Sequence, residues 1–425
     1  MAVTVAQRLP DMVAARQAAK AANNSSRRQR PPSPLPGDSR QDSAMPRTIS
    51  IKRPRRRTVV AEAPAASLAP QLAMLAPHLP AAIASPAAVA RMQRAAALLF
   101  PASGVGFEAR LAGDPSEVDL YMRVSPRDGS AAILGGWHQS HALAAPLAED
   151  RYWQRLARLS RLLWAADDGL LKPFVNRFGL ELDNADLDAG CARPSIVFFD
   201  LPDATAGNGA GLVRTMTDIV LPLVLERSLG HSQRHRIAAA VEAAAPIARL
   251  RHIGVALRRP DPAIRLVFKL PPDRIAECLA LLGFGARARP IAAAASAIGG
   301  DLTDISLQVD VAESLGQRVG IEFHASRSQA WAGLLRRLTL CRLCTAERAI
   351  ALSHWQRAPA ELHEMQRTDY GTRLPTDPTR LGEGLPVRLL NHAKLSFMPD
   401  GALEAKIYLY AGFVWRRASK PERVG

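Results

Sequence analysis

Apolar and polar residues alternate with a period of two at five places along the chain, and each place reads as a pair of strands. The clearest runs are Val118–Val124, Ile264–Leu270, Gln317–His324 and Ala405–Ala411. Successive side chains of a strand point to opposite faces, so each run has one apolar and one ionic face. Hairpin one joins Val105–Leu111 to Val118–Val124 through Gly113-Asp114-Pro115, and hairpin two joins Gly179–Asp183 to Pro194–Leu201. Hairpin three joins Arg251–Leu257 to Ile264–Leu270 through Pro260-Asp261-Pro262, and hairpin four joins Ile305–Val311 to Gln317–Phe323 at Gly316. Hairpin five joins Leu389–Phe397 to Glu404–Ala411 through Pro399-Asp400-Gly401, all turns rich in the residues that turns demand.

Helical spacing fills the intervals. Tyr152, Leu156, Leu159 and Leu163 mark a helix over Glu149–Ala166. Further helices are expected over Gly211–Leu229, interrupted at Pro222, and over Ser232–Ala245. One opens at Pro272-Asp273 and stops near Gly283, and two more cover Gln329–Leu340 and Ala346–Trp355. A hairpin followed by helix recurs throughout. Ten antiparallel strands so connected form open sheets or one closed barrel, and closure removes exposed edges. The α+β class follows: a closed ten-strand antiparallel barrel of five hairpins ringed by helices, its apolar strand faces outward under the helices and wide enough for a cavity.

In that register the interior receives Glu108, Arg110, Tyr121 and Arg123 from hairpin one, and Glu181 and Asp183 from hairpin two. Hairpin three adds His252, Arg258, Arg265 and Lys269; hairpin four adds Ser306, Gln308, Asp310, Arg318, Glu322 and His324. Hairpin five adds His392, Lys394, Ser396, Lys406, Tyr408 and Tyr410. Three readings of this set stand side by side. Arg123, Arg265, Lys269, Lys394 and Lys406 converge on a diphosphate, with Tyr408 and Tyr410 donating hydrogen bonds; mixed signs form purely structural internal salt bridges; or these faces are outer, solvated strand surfaces.

Composition localises the charge. The 425 residues carry +16, but residues 1–60 hold thirteen Lys/Arg against three Asp/Glu and are rich in Pro and Ser. Such a segment buries too little to offset ordering entropy and reads as a disordered basic leader. Its Arg53-Pro54-Arg55-Arg56-Arg57 run is a solvated tail or a contact to nucleic acid or anionic lipid. Residues 61–100 read as an Ala/Pro-rich linker with a short helix at Pro86–Leu99, residues 101–417 as the barrel, and 418–425 as a tail. Four cysteines make no disulfide framework. Cys341 and Cys344 lack the second pair a zinc site needs. With no apolar run of membrane-spanning length and no secretory order at the N-terminus, a cytoplasmic location is expected. The Ala- and Arg-rich composition is of the kind GC-rich bacterial genomes encode. Asp167-Asp168-Gly169 does not complete an Asp-rich metal motif, and Gly207–Gly211 lacks the lysine of a phosphate loop.

Gly106-Phe107-Glu108-Ala109-Arg110-Leu111, Arg265-x-x-x-Lys269 and Lys406-Ile407-Tyr408 appear in the order of short motifs in one family. Over roughly residues 100–417 the chain resembles the ABBA-type aromatic prenyltransferases, and among them the dimethylallyl tryptophan synthases. The resemblance implies five α-β-β-α repeats closed into a barrel with its site in the lumen, and prenyl transfer from an allylic diphosphate to an indole- or phenol-like acceptor in secondary metabolism. It implies Glu108 as the base, Arg123, Arg265, Lys269, Lys394, Lys406, Tyr408 and Tyr410 on the diphosphate, and no metal or other cofactor. Tyr121, His252, Arg318, Glu322, His324 and His392 are further lumen candidates, His252 and His324 as alternative proton acceptors. Three departures stand out: hairpin two offers no inward cation over Ser195–Phe199, Glu322 and His324 stand where Lys and Tyr are expected, and Tyr121 stands where a basic residue is expected. They keep open an alternative, a non-catalytic barrel that binds a small molecule or peptide as an accessory protein.

Overall fold

The computed structural model describes residues 66–165, 174–188, 192–202, 209–257, 263–312, 315–325, 327–355 and 370–416. The leader 1–60, Cys191, Arg258, the Pro260-Asp261-Pro262 turn and the tail 418–425 lie outside the described residues. Ten strands succeed one another around the barrel in chain order: β1 (Gly104–Arg110), β2 (Val118–Val124), β3 (Arg177–Leu182), β4 (Ile196–Asp200) and β5 (Arg249–Ala256). They continue as β6 (Ile264–Leu270), β7 (Asp304–Val311), β8 (Leu315–His324), β9 (Leu385–Phe397) and β10 (Leu403–Arg416). Every neighbouring pair is antiparallel, and β10 returns to β1 from Gly104 opposite Gly412 to Arg110 opposite Lys406. That last ladder satisfies both would-be edges and shuts the ring.

The period-two pattern explains the sidedness. Val105, Phe107 and Ala109 on β1, Leu266 and Phe268 on β6, and Ile407 and Leu409 on β10 are buried outside the barrel wall, in one continuous apolar layer with the helices. Those helices include α1 (Ala69–Leu75), α2 (Pro86–Leu98), α3 (Arg151–Trp164), α4 (His231–Ala244), α5 (Ala288–Gly299), α6 (Ser328–Leu340) and α7 (Ala346–Ser353). Helix α3 starts where the Asp150 carboxylate accepts the Tyr152 and Trp153 amides at 2.8 and 3.3 Å, a side-chain cap on the helix N-terminus. Its buried stripe is Trp153, Leu156, Leu159 and Leu163, so Trp153 replaces the expected Tyr152, whose ring is only half-buried.

Three expectations need correction. The helix after β4 is irregular before Pro222 rather than at it: α-helix Gly209–Thr215, a π turn Met216–Val220, then Leu221–Leu225 with Pro222 in its first turn. The π turn uncouples the ladder just ahead of a residue with no amide hydrogen to give. Gly316 does not turn hairpin four; it lies within β8, beside a register shift between Val309 and Val311. Helices α1 and α5 were not expected. Trp331, Trp355 and Trp415 are all buried, and the Trp355 indole donates to the Leu389 carbonyl at 3.0 Å. Among the described residues no helix is long and apolar enough to cross a membrane.

Candidate functional site

The ionic faces point inward, as their parity requires. One half of the lumen is filled. Tyr121 lies over Gly106 and Gly179, Tyr410 over Gly104, and Phe198 over Gly254. A Cβ at Gly179 would stand 2.3 Å from the Tyr121 ring. Gly179→Ala is therefore expected to destabilise the barrel by about 1–3 kcal/mol, an overpacking cost. Denaturant unfolding measures it, and the added change Tyr121→Leu should restore most of the loss; no loss in the single variant would show that Tyr121 has room to move. The Arg123 guanidinium sits 5.2 Å from the Tyr410 ring centroid, Arg177 pairs with Asp200 at 2.6 Å, and His252 Nδ1 is 3.5 Å from Asp200. Burial pushes the Tyr121 hydroxyl up to about 12 and holds His252 below its usual range.

The other half is open. A cavity of about 370 Å³ is walled by Glu108, Arg110, Glu117, Asp119, Glu181, Asp183, Asn184, Ala185, Ile196, Arg265, Arg318, Lys394 and Lys406. Lys406 donates to Glu108, which also takes a hydrogen bond from Tyr408. Arg265 grips Asp310 on the neighbouring strand through two bonds, at 2.9 and 3.3 Å. Arg318 donates to Ser396 at 2.9 Å and to Glu404 at 3.3 Å, and Arg110 bridges Glu404 and Glu117, both at 2.8 Å. Among the described residues, the Lys394 ammonium has no hydrogen bond or ion pair.

Carboxylate oxygens of Glu108, Asp119 and Glu181 lie within 4.8 Å of one another. Like charges so close and so buried cannot all ionise. Burial opposes ionisation of Glu108, but Lys406 and Lys394 overcome it and hold that group down to about 2. Burial and the neighbouring Glu108 push Asp119 up to about 7 and Glu181 well above the usual carboxylate range. The trio therefore carries one firm negative charge, on Glu108, and two carboxyls whose ionisation burial and that charge oppose. It is also where a cation would be held, although Lys406 already supplies one positive charge there.

Behind this wall, His392 stacks on Tyr408 with 4.0 Å between centroids, and His324 packs against His392 at 5.1 Å. His324 Nε2 is 3.4 Å from Ser306 Oγ and 3.7 Å from Glu322, so one ring nitrogen faces both groups, which is not the relay of a nucleophilic triad. Burial keeps His392 neutral, down to about 3. Lys269 pairs with Asp304 at 3.2 Å where both are partly exposed. The structure thus brings Glu108, Arg265, Lys394, Lys406 and Arg318 to one cavity; Arg123 and Tyr410 belong to the filled half, and Lys269 lies off the cavity wall. Asp119, Arg177, Asp200, Phe198, Asp304 and Glu404 also face inward and were missed. Cys341 and Cys344 are buried thiols, and burial pushes Cys344 up to about 11, which removes it from nucleophilic duty.

No family model and no curated protein matches the chain. Among solved structures it is similar to the PriB binary complex with product diphosphate (14% identity over 81% of this chain and 96% of that one, TM-score 0.42). It is also similar to 5-dimethylallyl tryptophan synthase from Streptomyces coelicolor in complex with DMASPP and Trp (14%, 81% and 95%, TM-score 0.37). A third is AnaPT from Neosartorya fischeri (12%, 74% and 79%, TM-score 0.38). At these values no residue of this chain is equated with one of theirs. The strand order and its closing ladder stand on their own as a ten-strand antiparallel barrel of five hairpins with helices outside.

Proposed function

We propose that the barrel transfers a prenyl group from an allylic diphosphate to an indole- or phenol-like acceptor bound in its open half. The observation that carries this reading is the meeting of Arg265, Lys394 and Lys406 with Glu108 on the wall of a single cavity. Arg265 and Lys406, joined by Lys394 once a bound diphosphate draws a proton onto its amine, supply what a departing diphosphate needs as the allylic C–O bond breaks and its electrons leave with the phosphate oxygen. Tyr408, hydrogen-bonded to Glu108, stands behind the same wall. Glu108 is held ionised by Lys406, so it is a weak base and a good acceptor. It orients the acceptor N–H or O–H rather than removing the ring proton.

A second reading is favoured by one observation. Arg265 and Lys406 already hold buried carboxylates, as a barrel that only binds a neutral or zwitterionic molecule would arrange them. Incubation of the full chain with dimethylallyl and geranyl diphosphates against indole and phenol acceptors, read by mass spectrometry, separates the two. A prenylated product is expected. No product, together with no binding of inorganic diphosphate by calorimetry, would leave the binding barrel. With a product in hand, Glu108→Gln is expected to lower kcat by about 10²-fold or more while leaving the diphosphate KM within about threefold; equal turnover in the variant removes Glu108 from the reaction.

A further inference from the structure

Lysine is scarce in this chain: 48 of its 55 basic residues are Arg and only 7 are Lys. The three lysines among the described residues, Lys269, Lys394 and Lys406, all stand at inward positions of barrel strands. An ammonium differs from a guanidinium in being able to lose its proton and act as a nucleophile. Lys269 and Lys406 each hold a carboxylate. Lys394 does not, although it is only 3% exposed and lines the cavity. Its stem passes over Gly320, where an added Cβ would stand 3.0 Å from Lys394 Cε, so that glycine leaves room for the side chain to reach inward.

We propose that Lys394 is a carbonyl-reactive amine and that the cavity receives an anionic aldehyde or α-keto acid, bound to it as an imine. The Nζ lone pair attacks the carbonyl carbon to give a carbinolamine. That adduct accepts a proton on its hydroxyl, loses water and becomes the C=N bond, while the nitrogen gives up its proton. Asp119 and Glu181, on the same wall and kept protonated by burial beside Glu108, are placed to supply the proton that water departure needs. Lys406 and Arg265 set positive charge around the anionic end of the carbonyl compound. Burial and the neighbouring Arg265 push the Lys394 amine down to about 7, which leaves much of it neutral where an ordinary lysine is protonated. This activity does not depend on prenyl transfer, and its test uses no diphosphate.

The test treats the folded full-length chain near pH 7 with glyoxylate and sodium cyanoborohydride, then maps alkylated lysines by peptide mass spectrometry. Hydride delivered to the C=N bond fixes the adduct as a secondary amine. The expected result is labelling of Lys394 about tenfold or more faster than Lys269 and Lys406, whose ammonium groups are each held by a carboxylate. Lys394→Arg should lose that label while Lys269 and Lys406 react as before. Labelling of Lys394 no faster than of the other two, or its absence from the folded wild type, overturns the proposal. Mapping of the wild type decides the matter even where the variant does not fold.

Discussion

Asp310→Ala is expected to cost the barrel about 3–5 kcal/mol, the loss that follows when one partner of a buried ion pair is removed. The substitution leaves the Arg265 guanidinium, whose side chain is only 8% exposed, without the carboxylate that takes two of its N–H groups. A lone buried charge loses its solvation and gains nothing in return. Asp310 also holds the Arg265 charge firmly on, since the ion pair outweighs the burial that favours its neutral form. Against a typical total of about 5–15 kcal/mol, the deficit is a large fraction of stability. Urea unfolding of wild type and variant measures it. The paired change Arg265→Leu/Asp310→Leu removes both charges at once and should recover to within about 1–2 kcal/mol of wild type, as apolar replacements of buried ion pairs do. A single-variant loss under about 1 kcal/mol would mean that Glu181, which also faces Arg265, has taken over the pairing.

Asp119→Asn should act in the opposite direction, increasingly as pH rises above about 4 and in full by about pH 7. Burial beside Glu108 pushes Asp119 up to about 7, well above the ordinary aspartate range. The folded barrel therefore keeps a proton that the unfolded chain releases, and stability linked to this group is complete below the unfolded value and lost as pH rises through about 7. Asparagine never ionises, and its side-chain oxygen still accepts the Asn184 amide that Asp119 accepts at 2.7 Å. Near pH 4 the two proteins should unfold alike; by about pH 8 the variant should be the more stable by a few kcal/mol, since one pKa unit is worth about 1.4 kcal/mol. Glu108 behaves with the other sign: Lys406 and Lys394 hold it down to about 2, so its contribution is present above the ordinary glutamate value and disappears as pH falls through about 2. Parallel stability curves for wild type and Asp119→Asn from about pH 4 to 8 would show that Asp119 is not raised on folding.

Much of this barrel is legible in the alternation of residues. The period-two runs at Val118–Val124 and Ile264–Leu270 became β2 and β6 with identical bounds, because one face had to be apolar to meet the helices. Where both faces are apolar the reading stops: Ile196-Val197-Phe198-Phe199 does not show which ring is inside, and Phe198 fills the lumen only because Gly254 lies opposite it. Asp119 was within reach, since it shares parity with Tyr121 two residues on. Arg177 and Asp304 were not, because they sit at strand ends where alternation has barely begun. Helix α5, with four consecutive alanines, has too weak a stripe to declare itself. The largest difference concerns charge. Arg265 and Lys269 looked free for a diphosphate along their own strand, but their carboxylates come from β7, and no single strand reveals what the next one brings.

The ladder between β1 and β10 also has a consequence for how the molecule is made. Glu108 and Lys406 are 298 positions apart in the chain, yet they meet across it. A nascent polypeptide emerging from the ribosome exposes β1 long before its partner has been synthesised, and contacts of such separation form slowly. Until the final hairpin arrives, the unfinished sheet offers two sticky margins to any other extended peptide. A truncation ahead of Leu403 should therefore clump, and chaperones that shield β1 during translation should raise the yield of the complete ring.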